Sequence, residues 1–367
     1  MTKIVVVLGG YGNFGSRIVA ALANELDTRV YIAGRDMPKA TALAREIGGN
    51  VEAIAIDQQS DDFAARLRAL GATVLVHTAG PFQGQDYRIA RACIAAGCHY
   101  VDIADGRSYV ARIGELDGLA RANNVLAVSG ASSLPALSSA VIDQYRKQFT
   151  RLDVIDHAIS SGAKPPGIAT MRGVMSYVGK PFTRWERDQW RTVYGWQDVI
   201  ARRFPSPVGD RWLANCDVPD LELFPQRYSG VRSVTFRAGL GFGSTTLTTW
   251  LLSWLVRMGA IATLARYADV LHRAAVSLER YGTQWSAMRV QLDGVDEEQR
   301  PLRKTWLLLA GDNHGPYIPC CPAIALTRKL LCDDVRVRGA MPCIGLLTVG
   351  EMLGALPHLN LRIIEEG

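Results

Sequence analysis

The feature that most restricts this chain is a glycine cluster, Gly9-Gly10-Tyr11-Gly12-Asn13-Phe14-Gly15, which follows a short β-branched run and precedes an apolar-periodic segment. Gly10, Gly12 and Gly15 satisfy G-x-G-x-x-G, a weak pattern alone and a specific one between a strand and a helix. There each glycine has a task. Gly10 permits the tight turn, Gly12 lets backbone amides approach a pyrophosphate, and Gly15 lets the helix pack close to the strand, with the helix amino end facing the anion. Gly9, Asn13 and Phe14 complete the loop.

The rest of the first 130 residues agrees with such a start. Segments 3–8, 29–33, 51–56, 73–77, 98–103 and 125–128 read as buried parallel strands, and 16–26, 40–47, 62–70 and 87–96 as the helices between them. Six strands with intervening helices imply a Rossmann-type doubly wound parallel sheet. Beyond residue 148 the alternation stops. Segments 153–160, 231–238, 287–292 and 303–309 read as a second, largely antiparallel sheet whose last two strands form a hairpin. The expected class is α/β with an additional α+β domain.

Arg35 lies 20 residues after Gly15, where NAD-binding versions of the motif carry an acid for the ribose 2′-hydroxyl. A cation there favours a 2′-phosphate, so NADP is the expected cofactor, with Lys39 as a second positive charge. The bland reading is an Arg35–Asp36 surface pair. Asp57, after the third strand, either caps the next helix or touches adenine.

Ligands of open α/β sheets bind outside the carboxyl ends of the strands. The fourth strand ends in His77-Thr78-Ala79-Gly80-Pro81-Phe82, the fifth in Tyr100-Val101-Asp102-Ile103-Ala104-Asp105-Gly106, and the sixth runs into Ser132 and Ser133. The nicotinamide is expected over Ala79 to Phe82. The candidate proton donors nearest it are Asp102, Asp105 and Tyr109, with Asp102 equally able to turn away and brace the loops. His77 reads as a core residue of a buried strand.

The strings GGYGNFG, AGR after the second strand, TAGPF after the fourth, and CIAAGCHYVD around the fifth together resemble saccharopine dehydrogenase-type proteins. The resemblance extends to residues 135–139 and, near the far end, to Gly315-Pro316 and PAIAL at 322–326. It implies an NADP-binding domain over 1–133, a substrate and dimerisation α+β domain over 134–320, and a segment 321–367 returning to the first domain. It also implies a homodimer and an oxidoreductase that reduces C=N or activated C=C bonds. An NADP-binding sensor or scaffold without turnover is the alternative. His77 stands where the family's motif carries a small or amide residue, and no arginines match those that hold the dicarboxylate of saccharopine.

Other templates fail on the letters. No tyrosine has Lys four residues later, and neither H-E-x-x-H nor G-x-S-x-G occurs. No metal site is expected. Seven cysteines, an odd count without C-x-x-C, suit a reduced cytoplasmic protein whose Met1 leads directly into the first strand.

Composition matters in the middle of the chain. Residues 164–212 hold nine Lys or Arg against four acids, with eight aromatics, in a protein of net charge +6. Nucleic acid, an anionic substrate or a plain solvated face would each explain this, and the overall reading takes no nucleic-acid partner. Tyr177 and Lys180 are candidate substrate contacts. In segment 247–265, Thr246, Thr249, Ser253 and Arg257 form one polar stripe on an otherwise apolar helix, which is expected to be buried nearly all round. Core or dimer packing is the plain explanation; the wall of a lipid-sized pocket or an interfacial membrane contact is the sharper one.

Overall fold

A computed structural model describes residues 2–241 and 243–367. The chain divides into two compact units, one formed by residues 1–137 and 317–357, the other by residues 138–316 and 358–367. In chain order the strands are β1 (Lys3–Leu8), β2 (Thr28–Gly34), β3 (Val51–Ala55), β4 (Val74–His77), β5 (His99–Asp102) and β6 (Leu126–Ser129). There follow β7 (Arg151–Ser160), β8 (Pro181–Glu186), β9 (Gln189–Tyr194), β10 (Ile200–Phe204), β11 (Gly209–Asn215), β12 (Ser233–Gly239), β13 (Ser286–Val295) and β14 (Pro301–Ala310). The last two are β15 (Gly339–Pro342) and β16 (Leu361–Glu366).

The first unit is a seven-stranded, all-parallel sheet in the order β15-β6-β5-β4-β1-β2-β3. Val5, Val6 and Val7 are wholly buried because β1 is central and covered on both faces, the arrangement that lets a strand be apolar without alternation. Register brings the carboxyl ends level: Leu8 lies opposite Ala33 on one side and His77 on the other, and His77 opposite Asp102. The strand order reverses between β1 and β4, so the loops that follow them flank a crevice. Local chemistry sets the helix ends. Asp36 Oδ1 accepts from the Lys39 amide at 3.1 Å to start the helix Met37–Ile47, and Gly71, at φ +67°, ends the helix Phe63–Leu70.

The second unit is built on a mixed sheet, β10-β11-β12-β7-β13-β14-β16, with the β8–β9 hairpin attached to β12. Only β7 and β12 run parallel along this path; the expected hairpin is β13–β14. One face buries Ile155, Val234, Phe236, Val290 and Trp306, and His157 lies against Phe224 of the helix Asp220–Arg227 at 5.7 Å between rings.

Two expectations need correction. Segment 321–367 does not all join the first unit: residues 358–367 belong to the second, where β16 extends the sheet beside β14. The helix Gly243–Arg257 is not buried all round. It buries the polar stripe Thr246, Thr249 and Ser253 and exposes Leu251, Trp254 and Leu255. Size explains the inversion, because an added Cβ at Gly179 would lie 2.3 Å from the Ser253 carbonyl oxygen; only small side chains let the backbones come so close.

Candidate functional site

The glycine loop closes on itself after β1. The Gly9 amide donates to the Ala33 carbonyl at 2.8 Å, the Gly12 amide to the Gly9 carbonyl at 2.8 Å, and Gly9 adopts φ +79°. A Cβ on Gly15 would stand 2.4 Å from the Gly9 oxygen and 2.7 Å from Thr78 Oγ1, so the loop, the helix Gly15–Leu22 and the start of the β4 loop are locked together. Thr78 Oγ1 donates to the Leu8 carbonyl at 2.8 Å and completes the lock. Gly12 differs: it is exposed, and a Cβ there would meet the Gly9 oxygen at 3.1 Å and nothing else within 4 Å. The loop thus presents an open cradle at Gly12. Beside it the helix begins at Phe14 with no side-chain cap and no acid in its first turn; the Ser16 amide is taken by the Gly12 carbonyl at 3.0 Å, and the positive end of the helix dipole faces the cradle.

Asn13 and Phe14 are held from outside the motif. Asn13 Oδ1 accepts from Arg17 Nη1 at 2.9 Å, Arg17 lies over the Tyr317 ring at 4.6 Å, and the Phe14 carbonyl accepts from Cys320 Sγ at 3.6 Å. Sequence reasoning missed Arg17 and Tyr317, which lie 300 positions apart. It also missed Tyr11, whose ring fills the space over Gly34 and whose hydroxyl accepts from the Asp36 amide at 3.3 Å.

Arg35 is exposed at the end of β2. The surface pair forms without it: Asp36 Oδ2 binds Lys39 Nζ at 2.8 Å, and this partner holds the Asp36 carboxyl below its usual range. Lys39 is therefore engaged while Arg35 is presented to solvent. Asp57 caps its own turn, accepting from the Gln59 amide at 2.9 Å. Next to it, Gln58, Gln59, Gly84, Gln85, Asp86, Arg88 and Ile89 line a polar cleft of about 300 Å³.

After β4, Gln85 Nε2 pins the loop by donating to the Ala79 and Pro81 carbonyls at 3.0 and 2.8 Å. Thr78 to Pro81 stay half-exposed, whereas Phe82 is buried against Tyr109, with ring centroids 5.4 Å apart. A buried chain of polar groups runs behind them: His77 Nδ1 lies 3.1 Å from the Tyr100 hydroxyl, which lies 2.9 Å from the Tyr109 hydroxyl. Burial pushes His77 down to about 3, so its ring is neutral, and pushes both phenols upward.

The two aspartates after β5 differ. Asp102 is wholly buried, and its Oδ1 accepts from the Ala104 amide at 2.9 Å, Ser129 Oγ at 3.0 Å and the Gly130 amide at 2.8 Å. It ties the loops after β5 and β6 together, and burial raises its carboxyl to about 6. Asp105 is half-exposed, with Oδ1 accepting from Gln83 Nε2 at 3.1 Å, and burial raises its pKa too. Gln83 had no signal in the sequence. Ser132 and Ser133 are buried beyond β6. Tyr177 and Lys180 belong to the second unit, where the Tyr177 hydroxyl meets Cys216 Sγ at 2.8 Å and Lys180 is exposed.

The cradle at Gly12, the uncapped helix end and the presented Arg35 fit a dinucleotide bearing a 2′-phosphate. Comparison with known proteins agrees. Residues 5–146 match the family model of the saccharopine dehydrogenase NADP binding domain. Apo saccharopine dehydrogenase (L-Glu forming) of Saccharomyces cerevisiae superposes over 100% of both chains at 13% identity with a TM-score of 0.71, a likeness of fold. Amine dehydrogenase of Mycobacterium smegmatis, at 12% identity over 96% of this chain and 95% of its own, reaches 0.49 and adds nothing to that. A search of curated proteins found no match. Residues 5–146 thus form an NADP-binding domain of the saccharopine dehydrogenase type, and the whole chain resembles saccharopine dehydrogenase in fold.

Proposed function

We propose that the protein reduces a C=N or activated C=C bond of a small or lipid-like substrate, with Asp105 as the proton donor. The observation that supports this most is the Asp105 carboxyl, raised by burial and held by Gln83 beside the Thr78–Phe82 loop. The Gln83 amide donates to Oδ1, so Oδ1 must accept and a proton on this carboxyl resides on Oδ2. A carboxyl that keeps its proton above the ordinary range can deliver it to an acceptor atom. Asp102 and Tyr109 rank behind it, because Asp102 Oδ1 is consumed by three donors and the Tyr109 hydroxyl by Tyr100.

NADPH, when bound, supplies the hydride. Gly9, Gly10, Gly12, Asn13, Phe14 and Gly15 would cradle its pyrophosphate, Arg35 would pair with its 2′-phosphate, and Asp57 and the Thr78–Phe82 loop would flank it. Lys39 could join Arg35 only by loosening its hold on Asp36. Ser132 and Ser133 are the proposed substrate contacts of the first unit; on the second unit, taken by itself, Tyr177 and Lys180 are candidates, and Lys180 would suit an anionic group.

The test is a panel of imines and activated alkenes followed by loss of NADPH absorbance, then Asp105→Asn with the best acceptor. The variant should lose ~10²-fold or more in kcat at unchanged NADPH affinity. Full turnover in Asp105→Asn would remove the residue from the reaction, and a panel in which no acceptor is consumed would favour a sensor or scaffold. No helix among the described residues is long and apolar enough to cross a membrane. A cytoplasmic location and a homodimer complete the proposal, and light scattering of the NADPH-bound protein checks the latter.

A further inference from the structure

The second unit carries an apolar surface that neither the fold nor the proposed reaction uses. Among the described residues fifteen large hydrophobic side chains are exposed, and nine of them fall between residues 251 and 281: Leu251, Trp254, Leu255, Met258, Tyr267, Val270, Val276, Leu278 and Tyr281. Scattered exposed hydrophobes are ordinary; a concentration of this kind marks a contact surface. It includes Leu251 at 59% and Met258 at 68% exposure. The helix Gly243–Arg257 is the cause, since it docks through its hydroxyl stripe with Leu252 and Val256 beside it and leaves Leu251, Trp254 and Leu255 facing outward. The next helix, Ala268–Leu278, buries Ala268 alone.

Charge identifies the occupant. Arg266, Arg273 and Arg280, at seven-residue spacing, are exposed along the second helical stretch, and Arg257 sits at the end of the first. The acids of this stretch are Asp269 and Glu279, and Asp269 is held by Arg172 at 2.8 Å. Arg257 is braced over the Tyr194 ring at 3.8 Å and the Trp254 ring at 5.0 Å, so a cation and an aromatic lie together at the tip. A two-fold interface with a second copy would set this cationic surface against itself. An anionic lipid surface answers both features, taking the leucines, methionine and aromatic rings into the headgroup boundary and pairing the arginines with phosphate. The helix has 15 residues and is therefore about 22 Å long, short of the ~30 Å hydrocarbon core, so it lies along the surface.

We propose that the face formed by residues 251–281 attaches the protein peripherally to anionic phospholipid bilayers. This is independent of the acceptor that the first unit reduces. The test is co-sedimentation of the full chain, loaded with NADPH, with vesicles of phosphatidylcholine containing or lacking phosphatidylglycerol. Binding should require phosphatidylglycerol and weaken in high salt. Leu255→Ser with Met258→Ser, both exposed and outside the core, should lower it at least tenfold, and Arg266→Gln with Arg273→Gln should do the same. Thermal unfolding followed by tryptophan fluorescence should be unchanged in both variants, which shows that the second unit, where all eight tryptophans lie, is folded. Equal binding to both vesicle types, or full binding by either double variant, would overturn the proposal. So would a dimer in vesicle-free solution that Leu255→Ser with Met258→Ser converts to monomer, because a second copy would then be the occupant.

Discussion

Gly15→Ala is a one-carbon change whose cost can be worked from the loop. Its new Cβ would stand 2.4 Å from the Gly9 oxygen, 2.7 Å from Gly10 Cα and 2.7 Å from Thr78 Oγ1, where ordinary contact begins at 3.4 Å. Two of the three atoms are backbone of a turn already closed by its own hydrogen bonds, so the helix Gly15–Leu22 must withdraw by about 1 Å. That helix buries Ile18, Val19 and Leu22, and overpacking of this sort costs about 1–3 kcal/mol. In amide exchange such a loss speeds opening of β1 and β4 by about 5- to 150-fold. The assay has to be exchange, because all eight tryptophans lie in the second unit and fluorescence would not see the change. Gly12→Val is the contrast: its side chain enters the open cradle, so protection of β1 should stay at the wild-type level while NADPH binding, measured by calorimetry, is lost. Wild-type exchange and affinity in Gly15→Ala, or normal NADPH binding in Gly12→Val, would refute the reasoning.

Arg35→Asp should reverse cofactor choice, since the wild type is expected to prefer NADPH over NADH by ~1–3 kcal/mol and an acid would repel the 2′-phosphate; equal dissociation constants in the wild type would contradict this. The pH profile of kcat should fall as pH rises through the elevated pKa of Asp105, and Asp105→Asn should abolish that limb. Asp102 affects stability instead. Its folded pKa, raised by burial to about 6, lies above the ordinary aspartate value of 3.8, so the folded state binds the proton more tightly, and the wild type loses up to about 3 kcal/mol as pH rises between these values. Asp102→Asn, which keeps an acceptor at Oδ1, should lack that pH dependence in exchange-detected unfolding of the first unit; an unchanged slope would show that another group carries it.

The parts of the fold legible in the sequence were those written by local chemistry. The β-branched run at 4–7, the glycines at 10, 12 and 15 and the cation at 35 each act within a few residues, and a strand followed by a helix is enough to interpret them. Through-space pairings were invisible: nothing at position 83 announces a partner for Asp105, and the His77–Tyr100–Tyr109 chain depends on strand register. Asp102 shows an intermediate case. Its place at the end of β5 was legible, but whether its carboxylate faced the crevice depended on the amides of Ala104 and Gly130, which only the folded loops supply. In the helix at 243–257 the stripe was correctly located and its direction misjudged, because apolarity argued for burial while the close approach of Gly179 demanded small side chains on the inner face.

The chain passes between its two units after residues 137, 316 and 357, and this sets a timetable for synthesis. β6 ends at Ser129, yet its neighbour β15 begins at Gly339, as does the pairing of Gly339 with Leu126. At ~5–20 residues per second the ribosome leaves that flank of the nascent sheet bare for roughly 10–40 s. During this interval β6 is an unpaired edge, open to any other extended chain. The helix Cys321–Leu331, whose Arg328 grips Glu25 at 2.7 Å and the Ala21 carbonyl at 3.1 Å, arrives equally late. A fragment ending before Tyr317 is therefore not a small autonomous nucleotide-binding module but a sheet with one raw edge and an unbraced first helix, a substrate for chaperones until the rest of the chain appears.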